Sequence, residues 1–149
     1  MSEGMNFSTV CVDASIIIKA LVPGLHSDKA IELLEKWLFE DISLVAPTLL
    51  AFEVTSVLRQ EVYLKNLVAD EGDAAFHAFL QMPIRYSRRN EVVKLAWQLS
   101  KMLNRSRAYD TAYLAVAQLN RCEFWTADKR LYNAAHPTLA WVRWIEESL

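Results

Sequence analysis

Four acidic residues, Asp13, Glu53, Asp110 and Asp128, stand in settings that allow chemistry. Asp13 closes the apolar run Thr9-Val10-Cys11-Val12 and is followed by Ala14 and Ser15, and Asp128 follows Phe124-Trp125-Thr126-Ala127 in a similar way. A short apolar run that ends in Asp and passes into helical sequence puts the acid where a parallel strand leaves its sheet, the usual crevice for sites in α/β folds. Glu53 lies inside a long helical pattern, one turn after Leu49 and one before Val57, and Asp110 lies near the start of another. If the strands ending at Asp13 and Thr126 are neighbours, their acids emerge at one edge, and acids on flanking helices can converge there. Carboxylates at close quarters repel one another unless a cation binds, and an all-oxygen set selects a hard ion such as Mg²⁺ or Mn²⁺. A water retained on such an ion has a lowered pKa and can attack a phosphodiester, while the ion neutralises charge developing on the phosphate.

Each acid also has a plainer explanation. Asp13 and Asp128 begin helices, where carboxylates serve as caps. Asp110, near a helix N-terminus, is stabilised by roughly 0.3 to 1 kcal/mol without any further role. Glu53 caps nothing, and a carboxylate on an apolar stripe is costly unless something positive such as Arg59 meets it. Other hydrolytic chemistries fit less well. The Asp13-Ala14-Ser15 spacing lacks the second aspartate expected two residues after a phosphatase nucleophile, and no G-x-x-x-x-G-K phosphate loop occurs.

The elements that must carry these acids alternate strand with helix. Strands are predicted over Thr9–Val12, Ile42–Ala46, Pro83–Tyr86, Phe124–Thr126 and Leu139–Ile145. A short helix follows over Ile16–Leu21, closed by Pro23-Gly24, and Ser27 is expected to cap a helix over Asp28–Phe39 with Ala30, Leu33, Leu34, Trp37 and Leu38 inward. A long helix runs from Pro47-Thr48 to about Leu64, with the proline in its first turn and the threonine as a cap. Asp70 is expected to cap the next helix, with Phe76, Phe79 and Leu80 inward. Helices follow over Arg88–Asn104, Ala108–Arg121 and Asp128–Ala135, the last capped by Thr126 or Asp128. This alternation predicts a three-layer α/β/α domain over 1–149 with a central, mostly parallel sheet of four to five strands.

Composition narrows the class. With 149 residues, 53% hydrophobic and 11% aromatic, the chain is long enough for one substantial core. A net charge of -2 argues against indiscriminate coating of nucleic acid. Charge is locally uneven, however: Arg85, Arg88, Arg89, Lys94, Lys101, Arg105 and Arg107 are offset only by Glu91, and this stretch leads into Asp110, so Arg105 and Arg107 are candidates for guiding phosphate. Cys11 and Cys122 read as buried thiols. His26, His77 and His136 show no metal-ligand spacing and read as surface residues, and the tryptophans read as core. No apolar run approaches the roughly 20 residues of a membrane span, and no signal peptide is visible, so a cytoplasmic location is expected.

Taken together, Val10-Cys11-Val12-Asp13-Ala14-Ser15, the segment Pro47 to Leu58 around Glu53, Ala108 to Ala117 around Asp110, and Trp125-Thr126-Ala127-Asp128-Lys129-Arg130-Leu131 resemble the PIN-domain ribonucleases, in particular the VapC-like toxin branch of toxin-antitoxin pairs. Order and separation agree over nearly the whole chain. The resemblance implies metal-dependent hydrolysis of RNA, with Asp13, Glu53, Asp110 and Asp128 around one or two Mg²⁺ or Mn²⁺ ions, Asp128 often acting through water, and Ser15 or Thr126 as supporting hydroxyls. It further implies a homodimer and a small antitoxin that blocks the cleft. The competing expectation is a catalytically silent PIN-like module that binds RNA or a protein.

Overall fold

The computed structural model describes residues 4–147. Strands β1 (Thr9–Val12), β2 (Ser43–Pro47), β3 (Ile84–Ser87), β4 (Glu123–Thr126) and β5 (Val142–Trp144) form one sheet in the order β3-β2-β1-β4-β5, and all of its pairs are parallel. Helices α1 (Ala14–Leu21) and α2 (Ser27–Phe39) connect β1 to β2, α3 (Leu49–Tyr63) and α4 (Ala69–Gln81) connect β2 to β3, α5 (Glu91–Met102) and α6 (Tyr109–Leu119) connect β3 to β4, and α7 (Lys129–Ala135) connects β4 to β5. The result is the expected three-layer α/β/α arrangement.

Strand position explains strand composition. The central strand β1 is buried along its whole length and reads as a continuous apolar run, as a strand covered on both faces must. The edge strands β3 and β5 each carry an arginine, Arg85 and Arg143, and are only partly buried, which discourages pairing with a further strand. Helix α6 is so rich in small residues that Ala115 and Ala117 are fully buried, letting its backbone approach β1, β2 and β4 closely. Cys11 and Cys122 are free and buried, as expected.

Several local expectations give way to tertiary contacts. Ser27 is the first residue of α2 rather than its cap, because its N–H already donates to Gly24 O (3.2 Å) in the preceding turn. The cap position falls to His26, held left-handed at φ 67° while its ring pairs with Glu146 and packs edge-on against Trp144. His136 is likewise half-buried, with Nδ1 2.8 Å from Val142 O and its ring stacked on Tyr132, so of the histidines only His77 is exposed. Pro47 ends β2 instead of opening α3, and Thr48 makes no side-chain cap. At α4 the cap residue is Val68, whose N–H donates to Glu71 Oε1 (3.0 Å), so Glu71 rather than Asp70 satisfies the helix start. Leu38, Leu80 and Trp97 are exposed because Trp37, Phe79 and Ala96 beside them take the inward position, and consecutive helical residues point about 100° apart.

The α3–α4 contact depends on Gly72, where an added Cβ would run into Val62 Cγ2. Alanine would gain about 1 kcal/mol of helix propensity there, but the stiff β-branched valine cannot yield cheaply and overpacking costs about 1–3 kcal/mol. Urea unfolding should therefore find Gly72→Ala less stable than the parent chain, whereas a more stable variant contradicts the packing described.

Candidate active site

The strand order places the site. The chain moves from β1 out through β2 to β3 and then returns to the other side of β1 with β4, so the carboxyl ends of β1 and β4 flank a topological switch point. Their register pairs Val12 with Trp125, and the Asp13 N–H still donates to Trp125 O (3.3 Å). Asp13 and Asp128 thus leave neighbouring strands at the same edge. Glu53 sits in the early part of α3, which starts at the carboxyl end of β2. Helix α6 must finish at the amino end of β4; its 11 residues span about 16 Å, which returns its first turn and Asp110 to the carboxyl edge.

Asp13 is buried, at 7% exposure, and each of its carboxylate oxygens has a hydroxyl partner. Ser15 Oγ and the Ile16 N–H (3.3 Å) donate to Oδ1, and Thr126 Oγ1 donates to Oδ2 (2.5 Å). Both hydroxyls are held from behind, since Ser15 Oγ accepts from the Ala127 N–H (2.9 Å) and Thr126 Oγ1 from the Asp128 N–H (2.9 Å). These bonds favour the charged form but do not offset its loss of water: burial first, with a smaller contribution from Asp128, raises the carboxyl to about 7. Desolvation, more than the mutual repulsion expected from the sequence, is the main cost here. Asp13 is also the α1 cap, so both of its anticipated settings hold at once.

Glu53 and Asp110 meet on the other side of the site. The Tyr113 hydroxyl donates to Glu53 Oε1 (2.5 Å) from a ring only 2% exposed. Partial burial of the carboxylate and the nearby charge of Asp110 both raise Glu53, against this hydrogen bond. Burial first, then the Glu53 carboxylate, raise the Tyr113 hydroxyl, with a smaller effect from Asp13. The sequence signal for Tyr113 is its place three residues after Asp110, on the same helical face. Arg59 does not pair with Glu53 but lies over the Tyr63 ring. Arg105 Nη2 donates to Asp110 Oδ2 (3.3 Å), whereas Arg107 makes no ion pair among the described residues. Glu53, Asp110, Arg107, Phe52 and Tyr109 line an open groove of about 630 Å³.

Asp128 is exposed and caps α7, with Oδ1 accepting from the N–H groups of Arg130 (3.0 Å) and Leu131 (3.3 Å). Asp128 thus adds to the raising of Asp13, and Asp110 to that of Glu53, each as the smallest cause. Among the described residues no three acidic, histidine or cysteine side chains form a ready-made ligand set. The donors nevertheless fit a hard divalent cation: all are oxygen, only Asp110 has a basic partner among the described residues, and Mg²⁺ commonly takes one or two carboxylates and keeps several waters.

Residues 10–137 match the PIN domain family model, and the chain belongs to that family. PIN domains are commonly nucleases, hydrolases that act on nucleic acids. No curated protein matches the chain. Among the described residues no helix is long and apolar enough to cross a membrane.

Asp13 gives this site a pH signature. Its carboxyl titrates near 3.8 in an ordinary setting and near 7 when folded, so the folded state holds the proton more tightly between those values. The burial cost is absent below about pH 4, grows as pH rises, and reaches roughly 4 kcal/mol above pH 7. With chelator present, Asp13→Asn should be more stable than the parent chain at pH 8, and the gap should shrink toward pH 5 in urea unfolding. A variant less stable at pH 8, or a gap that ignores pH, contradicts this assignment.

Proposed function

We propose that the chain is a divalent-metal-dependent endoribonuclease that hydrolyses RNA phosphodiester bonds, and that it acts as the toxin of a toxin-antitoxin pair. The observation that carries the nuclease reading is the buried Asp13 carboxylate at the switch point, held by two hydroxyls with no basic partner among the described residues. Asp13, Glu53 and Asp110 would hold Mg²⁺ or Mn²⁺, with Asp128, exposed at the start of α7, acting through water as the family resemblance implies. When bound, the ion supplies an acidified water and stabilises charge on the phosphate.

The remaining roles belong to the chain's own residues. Ser15 and Thr126 fix the Asp13 carboxylate from both sides, and Tyr113 restrains Glu53 through Oε1. Arg105 orients Asp110, and Arg107, in the groove without an acidic partner among the described residues, can meet substrate phosphate. The toxin role and the small antitoxin rest on the likeness of the four acidic segments to the VapC-like branch. The homodimer has added support from Val93 and Trp97, exposed one turn apart on α5. The alternative, a silent PIN-like module that binds RNA or protein, is favoured by the absence of a ready-made three-residue ligand set among the described residues.

Incubation of the purified protein with RNA separates these readings. Cleavage should require Mg²⁺ or Mn²⁺, stop with chelator, and fall roughly 10²–10³-fold in Asp13→Asn. RNA left intact under every metal condition supports the silent module. Cleavage that survives both treatments rules out the proposed site.

A further inference from the structure

The hydrogen bonds around the four acids follow one pattern. Each carboxylate has one oxygen taken by donors of the chain itself: Asp13 Oδ1 by Ser15 Oγ and the Ile16 N–H, Glu53 Oε1 by the Tyr113 hydroxyl, Asp110 Oδ2 by Arg105 Nη2, and Asp128 Oδ1 by the N–H groups of Arg130 and Leu131. The second oxygen has one donor at Asp13, Thr126 Oγ1, and none among the described residues at the other three. Most of these contacts have another use. Those to Asp13 and Asp128 cap α1 and α7, and Arg105 balances the charge of Asp110. The Tyr113 bond neither caps a helix nor pairs a charge. Its donor is nevertheless firmly seated: the ring is 2% exposed and packs against Phe124 with centroids 6.1 Å apart, and the Tyr113 carbonyl accepts from Cys11 Sγ (3.5 Å).

We propose that Tyr113 sets the ion preference of the site: by holding Glu53 Oε1 it makes Glu53 a one-oxygen ligand, which favours a small ion such as Mg²⁺ over Ca²⁺. The inference rests on the metal-dependent reading above and adds the residue that gives it specificity. A hydroxyl proton on Oε1 occupies a lone pair and repels a cation brought against that oxygen, so an ion at Glu53 meets Oε2 alone. Mg²⁺ demands a tight octahedral shell, keeps several of its waters and loses little when a carboxylate offers one oxygen. Ca²⁺ is larger, takes more oxygen ligands and gains from a carboxylate that gives both. The engaged oxygens of Asp110 and Asp128 push in the same direction. Only Tyr113 does so through a neutral hydroxyl whose removal leaves every helix cap and charge pair in place. Tyr113 is therefore a positioning residue that acts through Glu53.

The test reads ion binding without RNA. Isothermal titration calorimetry on the metal-free protein gives Mg²⁺ and Ca²⁺ affinities for the parent chain and for Tyr113→Phe, which keeps the ring and drops the hydroxyl. The ratio of Ca²⁺ to Mg²⁺ affinity should rise about tenfold in Tyr113→Phe. A merely structural role weakens both ions alike and leaves the ratio where it was. Glu53→Gln presents a single acceptor oxygen with or without the hydroxyl, so adding Tyr113→Phe to it should not move the ratio. Difference infrared spectra of the unmodified chain give a reading that needs no variant: with either ion the antisymmetric carboxylate stretch should move above its ion-free position, as one-oxygen binding requires. An unmoved ratio, a ratio that moves equally in the Glu53→Gln background, a stretch that falls below its ion-free position, or a chain that binds neither ion overturns the proposal. Ion binding with the expected ratios and RNA left intact would sink the nuclease reading and keep the ion preference; Mg²⁺-dependent cleavage with an unmoved ratio would do the reverse.

Discussion

The structure turns on one carboxylate kept away from water at the junction of β1 and β4. Burying an ionised acid is costly unless charge or hydrogen bonds replace its hydration. At Asp13 the replacement is incomplete: two hydroxyls and one backbone N–H reach it, yet burial still raises it to about 7. The hydroxyls are held in turn by the backbone of Ala127 and Asp128, so the network ties the start of α1 to the entry into α7 across neighbouring strands. A fold needing only a cap for α1 would leave that carboxylate in solvent, where it caps equally well. Its position inward is what a bound cation would turn from a cost into an advantage.

The same logic extends outward along the sheet edge. Tyr113 is nearly inaccessible, and its hydroxyl meets Glu53 on α3. Asp110, the less exposed residue of the two, has the balancing arginine, Arg105. Asp13 is thus the acid held deepest, by hydroxyls and a backbone N–H alone, while Asp110 is the one with a basic partner among the described residues.

Much of this was legible in the sequence because it follows from short-range rules. Strand and helix alternation gave the parallel sheet, while the adjacency of β1 and β4 entered only as the condition for Asp13 and Asp128 to share an edge. That adjacency brings Asp13 to Thr126, a contact spanning 113 residues that no local pattern encodes. Errors collected where tertiary contact overrides local preference: His26 displaced Ser27 at the start of α2, and Glu71 displaced Asp70 at α4. Tyr113 was missed for a similar reason, since a tyrosine on a buried helix reads as core until its hydroxyl finds Glu53, 60 residues away. Trp97 was misread in the opposite direction, because its neighbour Ala96 takes the inward place on α5 and its carbonyl accepts from the Thr111 hydroxyl (2.9 Å).

The most direct test is a carbon-detected NMR titration of the Asp13 carboxyl, followed without divalent ions and again with saturating Mg²⁺. The midpoint should lie near 7 in the ion-free protein and fall below the ordinary carboxylate value once Mg²⁺ is present. An ordinary midpoint in the ion-free protein, or a raised midpoint that Mg²⁺ does not move, would contradict this expectation.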